Sequence, residues 1–202
     1  MNDIMEMKMI LIKTTDVELL NFQEMKDDNT ITAMKFLQIL TFYTYLAKQQ
    51  YLQLFTLQMM QLTLHRGVCN ESCYGMSMFS FLLCQYGDFK AADRIGHLSI
   101  LLLNKCKAEE YRSNIYSCYY GIVRCWNVHI KESLEKLLDG YHVGMQTGNI
   151  ENAMINALLF LLNSFMCGRN LVELERKLVS FGKIMIEHKQ VVTHNIVRLM
   201  YL

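Results

Sequence analysis

The sequence predicts an all-α protein assembled from antiparallel helical hairpins, and three observations carry that expectation. The chain contains no proline, the residue that helix interiors tolerate least. It contains 15 methionines, which are good helix formers and fill irregular gaps. Its glycines fall on a lattice: Gly67 and Gly87 lie 20 apart, Gly148 and Gly168 lie 20 apart, and 61 residues separate the two pairs. Each glycine is soon followed by an Asx residue (Asn70, Asp88, Asn149 and Asn170). Glycine relieves the left-handed position at a helix C-terminus, and Asx side chains accept the unpaired N–H groups of the next helix. Each station therefore reads as stop, turn and start. Two further stations are expected near Lys107 and Asn127.

Between the stations the apolar period is helical. Upstream, Thr15 and Glu18 have the spacing of a capping box for a short helix. Two longer helices are expected over 29–47 and 50–66. Over 130–145, Ile130, Leu134, Leu137, Leu138, Tyr141 and Met145 recur at helical spacing. Over 150–166 the set runs from Ile150 through Ala153, Met154, Ala157, Leu158, Leu161 and Leu162 to Phe165 and Met166. After Asn170, a helix is expected to bury Leu171, Leu174, Leu178, Phe181 and Met185 and to turn Glu173, Arg176, Lys177, Lys183 and Glu187 to water. Nothing supports strands.

These elements sum to about nine or ten helices, with hairpins of roughly 40 residues. The closest approach to a tetratricopeptide unit is at 78–103, where Tyr86, Gly87, Asp88, Phe89, Ala91 and Ala92 form the turn and the entry to the second helix. The expected architecture is thus an irregular tetratricopeptide-like α-solenoid in a single domain over 1–202. Residues 1–48 supply leading helices, and hairpins occupy 49–87, 88–128, 129–168 and 169–202, the last one truncated.

Composition narrows the function. A chain that is 52% hydrophobic and 19% charged can build a core and is not intrinsically disordered. A net charge of +1 without a basic stripe argues against nucleic acid. The longest apolar run, Ala157 to Leu162, falls far short of the roughly 20 residues that span a bilayer. The N-terminus lacks a cleavable signal, so the chain is expected in the cytoplasm. Seven cysteines at irregular spacing read as reduced thiols rather than a disulfide framework.

Motifs for phosphate loops, nucleophile elbows, zinc proteases and dinucleotide binding are missing, so a non-catalytic protein without cofactor or metal is expected. His65, Cys69 and Cys73 are spaced by four, as metal ligands on one helix would be, but Gly67 is expected to end that helix between the first two. A nucleophilic cysteine paired with His97 or His129 is the remaining catalytic alternative. The most distinctive polar and aromatic cluster is Arg124, Trp126 and His129. It reads either as the lining of a binding groove or as a turn with Trp126 in the core and His129 bonded to the next helix start. The core reading is preferred, because large aromatics bury most area. Tyr111, Tyr116, Tyr119 and Tyr120 sit at helical spacing without a surrounding cluster of basic residues and read as packing residues.

The stretch from Leu54 to about Met185 resembles the helical-repeat middle region of large signalling proteins that carry a serine/threonine-kinase-like domain, an AAA-type ATPase and a sensor histidine kinase. The similar pieces are LHRG at 64–67, YGDFKAADRIGHLSILLL at 86–103, VRCWNVHIKESLEKLLDGYHVGMQTGNIENA at 123–153 and GRNLVELERKL at 168–178. Within them, Gly87 and Asp88, Arg124, Trp126 and His129, Gly140 and Tyr141, Thr147 to Asn149, and Leu171 to Arg176 fit the family pattern. The resemblance implies a scaffold or signal relay joined to a protein partner or to adjoining signalling domains. It carries over no enzymatic activity, since the kinase and ATPase modules lie outside this stretch. The sequence stops at Arg198 to Leu202 without the polar capping repeat expected at a solenoid end, so a fragment or a degenerate copy of a larger protein is expected. The alternatives are a ligand- or peptide-binding sensor, and a thiol-dependent enzyme or redox switch.

Overall fold

Local rules set the helix boundaries. The computed structural model describes residues 2–200, and among them it shows eleven α-helices and no strand. The chain folds as two compact units, Met1–Tyr111 and Arg112–Leu202.

The first unit contains α1 (Asn2–Lys13), α2 (Asp16–Leu20), α3 (Asp28–Ala47), α4 (Leu52–Arg66), α5 (Asn70–Gln85) and α6 (Phe89–Cys106). The capping box expected at Thr15 is formed: Glu18 N–H donates to Thr15 Oγ1 at 3.2 Å, and Thr15 N–H donates to Glu18 Oε2 at 2.8 Å. The short helices α1 and α2 could not persist alone. The Arg94 guanidinium of α6 ties them down, donating to Asp16 Oδ1 at 2.7 Å, Leu11 O at 3.0 Å and Thr14 O at 2.8 Å. Consecutive helices α3 to α6 pack against one another across short turns, the topology of antiparallel hairpins. Their turns follow the expected chemistry with one exception. Asp88 caps α6 by accepting from Ala91 N–H at 3.2 Å, and Lys107 ends it in the left-handed region at φ 54°. Before α5, however, the cap position is Cys69, and Asn70 is already helical. Cys69 N–H donates to Ser72 Oγ at 3.1 Å, so a serine closes the turn instead of Asn70.

The second unit contains α7 (Arg112–Cys118), α8 (Leu134–Thr147), α9 (Ile150–Met166), α10 (Leu171–Glu187) and α11 (Val191–Leu199). α9 is the hub, packed against α7, α8, α10 and α11. Its apolar set supplies Ala153, Met154, Ala157 and Leu161 to a core shared with Leu137, Leu178 and Val197. The same helix also buries Asn152, Asn156 and Asn163. Asn156 Nδ2 donates to Ser113 O and Asn152 O, both at 2.8 Å, while Asn149 Nδ2 bonds Asn114 Oδ1. These amides stitch α7 to α9 where the apolar period alone would place nothing. Gly140 of α8 lies so close to them that a Cβ there would sit 2.5 Å from Asn156 Oδ1.

Several expectations for this unit change. Leu171, the first residue of α10, is 65% exposed and outside the core, and Phe181 is half-buried, although Leu174, Leu178 and Met185 are buried as expected. Phe165 and Met166, at the end of α9, are exposed as well. At the other turns, Asn170 Oδ1 accepts from Val172 N–H at 2.9 Å, and Gly148 and Gly168 are left-handed at φ 77° and 69°. Asn149 stands at the start of α9 as expected, but its side chain caps no backbone N–H there; its Oδ1 accepts from Asn152 Nδ2 at 3.0 Å instead.

Candidate functional site

The segment singled out by sequence is not one smooth helix. α7 runs into a π-turn at Tyr119–Val123 and then a 3₁₀ turn at Arg124–Trp126. Inserted turns of this kind re-aim side chains. Tyr119 points fully inward, and Arg124 follows it: Nη1 donates to Tyr119 Oη at 2.9 Å, with the guanidinium 5.8 Å from the ring centroid. Trp126, two residues on, points the other way and is 60% exposed. The preferred core reading of Trp126 is therefore overturned, because the 3₁₀ turn carries the indole away from the packed face. His129 does what the core reading expected of it. It caps the 3₁₀ turn Ile130–Ser133, its Nδ1 accepting from Lys131 N–H at 3.1 Å. Of the three residues, Arg124 and His129 thus serve local structure, and Trp126 presents the open surface.

The neighbouring tyrosines pack. Tyr116 and Tyr119 are buried, and Tyr116 meets Tyr120 edge-on at 5.0 Å. Burial pushes the Tyr120 hydroxyl up from its ordinary value, with Arg124 opposing the shift. Arg112 sits 5.8 Å from the Tyr116 ring centroid and 3.8 Å from Asp139. This arrangement can hold a shape and contact a ligand through the indole, but it brings no nucleophile against a base.

The His65, Cys69 and Cys73 trio does not converge on one helix face. Gly67 ends α4, His65 is exposed with its Nδ1 bonded to Gln61 O at 2.8 Å, and Cys69 starts α5. Burial pushes the Cys69 thiol up to about 11. No group of three or more metal-ligating side chains is found among the described residues.

A second candidate was not visible in the sequence. On α3 the buried positions are Met34, Thr41 and Thr44. Both threonines turn their hydroxyls to carbonyls of their own helix, Thr41 to Leu37 O at 2.7 Å and Thr44 to Thr41 O at 3.0 Å. The exposed face carries Phe36, Ile39, Leu40, Tyr43 and Leu46, with Phe36 64% and Tyr43 59% exposed. Beside it, Phe36 and Leu37 of α3 and Gln58, Gln61, Leu62 and His65 of α4 line a groove of about 730 Å³. The helix is partly inside-out: beside Met34 it buries two hydroxyls, and it shows the Phe36 and Tyr43 rings to solvent while Phe42 and Tyr45 are half-buried. Because α3 is apolar on almost every side, periodicity could not tell which face would be covered.

Comparison with protein families, with curated proteins and with solved structures found no match to this chain. Among the described residues no helix is long and apolar enough to cross a membrane.

Proposed function

We propose that this chain is a non-catalytic, cytoplasmic scaffold, an irregular tetratricopeptide-like repeat segment that docks an amphipathic helix of a protein partner on α3 and α4. The partly inside-out α3 carries this reading. Fully burying a large apolar side chain is worth roughly 1.5–3 kcal/mol, and α3 forgoes about half of that at each of five positions while burying Thr41 and Thr44. A loss of that kind is offset when a partner covers the face. The exposed residues recur at i, i+3, i+4, i+7 and i+10 from Phe36 to Leu46, a stripe about 15 Å long. That spacing, beside a groove between two helices, suits recognition of a helix by its apolar anchors. The motif resemblance to the helical repeats of signalling ATPases and kinases supports the wider role of a relay between adjoining domains.

The test is a photo-crosslinker placed at Tyr43 in the full chain, expressed in its own cells. The expected result is a covalent adduct whose peptide has apolar residues at helical spacing and comes from one protein. Adducts no more frequent or uniform than those from a crosslinker at exposed Lys136 would refute the docking face.

The exposed Trp126 favours a second reading, a sensor that contacts a peptide or small molecule through the indole. Trp126 is the one tryptophan in the chain, so its fluorescence reports that contact directly.

A further inference from the structure

The face formed by α3 and α4 has a charge of its own. From Asn29 to Asn70 the chain carries no acidic residue, although it holds 19 elsewhere. The same stretch contains Lys35, Lys48 and Arg66, so outside it 17 basic residues stand against 19 acidic ones. The excess of positive charge is therefore local to these two helices. It is also placed at the ends of the apolar stripe. Lys35 immediately precedes Phe36, and Lys48 follows Leu46 by two residues as the C-cap of α3. Both lysines are exposed, and among the described residues neither pairs with a carboxylate. Arg66, the last residue of α4, lines the groove together with Phe36, at the Lys35 end of the stripe. Asp27 and Asp28 lie at the start of α3, where Asp27 is engaged as a cap, accepting from Asn29 N–H at 3.3 Å and Thr30 N–H at 3.2 Å.

We infer that the helix docked on this face is acidic at both ends: apolar anchors in the middle cover the stripe, and Asp or Glu side chains beyond them meet Lys35 and Arg66 at one end and Lys48 at the other. The inference rests on the docking role proposed above for α3 and α4 and adds the chemistry of the partner. Lys35 and Lys48 are separated by about 20 Å along the helix, so the flanking carboxylates of the partner stand roughly four turns apart. Apolar anchors alone would accept any amphipathic helix. Opposite charges at the rim steer the acidic one into place, and a basic helix with the same apolar spacing is refused by like-charge repulsion.

Two other occupants fit this face less well. In an antiparallel pair of α3 helices centred on the stripe, Lys35 of each copy falls nearly opposite Lys48 of the other, and in a parallel pair each lysine meets itself. With no acid between Asn29 and Asn70, a second copy has nothing on this face to answer those charges. An anionic lipid surface is recognised by clusters of about four to eight Lys and Arg residues, whereas the three bases here are spread over two helices beside a groove.

The experiment places p-benzoylphenylalanine at Tyr43 in the full chain, expressed in its own cells. It compares the chain unaltered at Lys35 and Lys48 with the pair Lys35→Glu and Lys48→Glu and with the pair Lys35→Arg and Lys48→Arg. The expected result is one crosslinked peptide with Asp or Glu beyond its apolar residues at both ends. The adduct yield should fall about tenfold with the glutamates and change little with the arginines. If the glutamate form fails to fold, the flanking residues of the peptide captured by the unaltered chain decide. A single captured peptide flanked by neutral or basic residues, or a yield that the folded glutamate form keeps, would overturn the acidic helix and leave the docking face standing. Adducts no more uniform than those from exposed Lys136 would remove the docking face and this inference with it. Crosslinks to a second copy of this chain, or glutamate-sensitive cosedimentation with phosphatidylserine vesicles in place of a protein adduct, would give the face a different occupant and overturn the inference.

Discussion

The turns at Gly67 and Gly148 look alike in sequence and differ in what they do. At Gly148 the backbone is left-handed at φ 77°, and a Cβ would meet nothing within 4 Å. Glycine is there for its own conformation and nothing else. At Gly67 the backbone is at φ 102° and ψ −176°, a region open only to glycine, and a Cβ would lie 2.3 Å from Gln23 O. That approach exists because Val68 N–H donates to Gln23 O at 2.9 Å and Met25 N–H donates to Val68 O at 2.8 Å. One turn is a local device. The other is a tertiary junction that anchors the connection between α2 and α3.

Gly67→Ala should cost on the order of 4 kcal/mol by combining strain with a backbone clash. Gly148→Ala should cost about 1 kcal/mol, the strain of one left-handed alanine. Equal losses in denaturant titration would show that Gly67 is no junction. Gly140→Ala should fall between them, at about 2 kcal/mol, since its Cβ meets a hydrogen-bonded amide rather than backbone. Trp126→Ala should change stability least, by under about 0.5 kcal/mol, because the indole is 60% exposed. Native Trp126 emission should already be that of a water-exposed indole and should be quenched by iodide before unfolding. A blue, unquenched emission would return Trp126 to the core.

What was legible in the sequence was local. The capping box at Thr15 and Glu18, the full extent of α9, and the turn at Lys107 follow from caps, period and polarity, which act within a few residues. Lys189, left-handed at φ 57° between α10 and α11, gave no such signal, because neither glycine nor Asx marks it. Asn149 and Asn156 were illegible for another reason: their partners on α7 lie 35 and 43 residues away. Arg94 likewise reaches back about 80 residues to hold α1 and α2. Trp126 misled because bulk argues for burial, whereas the π-turn and 3₁₀ turn before it set its direction. The α3 face was hidden by its own composition. A helix apolar on every side gives no phase, and only the packed structure shows that Thr41 and Thr44 took the inside.

The docking role of α3 is tested most directly by the double substitution Phe36→Glu and Tyr43→Glu, with a photo-crosslinker at Ile39 as the readout. Both rings are exposed, so the melting temperature should stay within about 3 °C of the unaltered chain, while the adduct at Ile39 disappears. An adduct of undiminished yield, on a protein that remains folded, would contradict the assignment of this face as the interface.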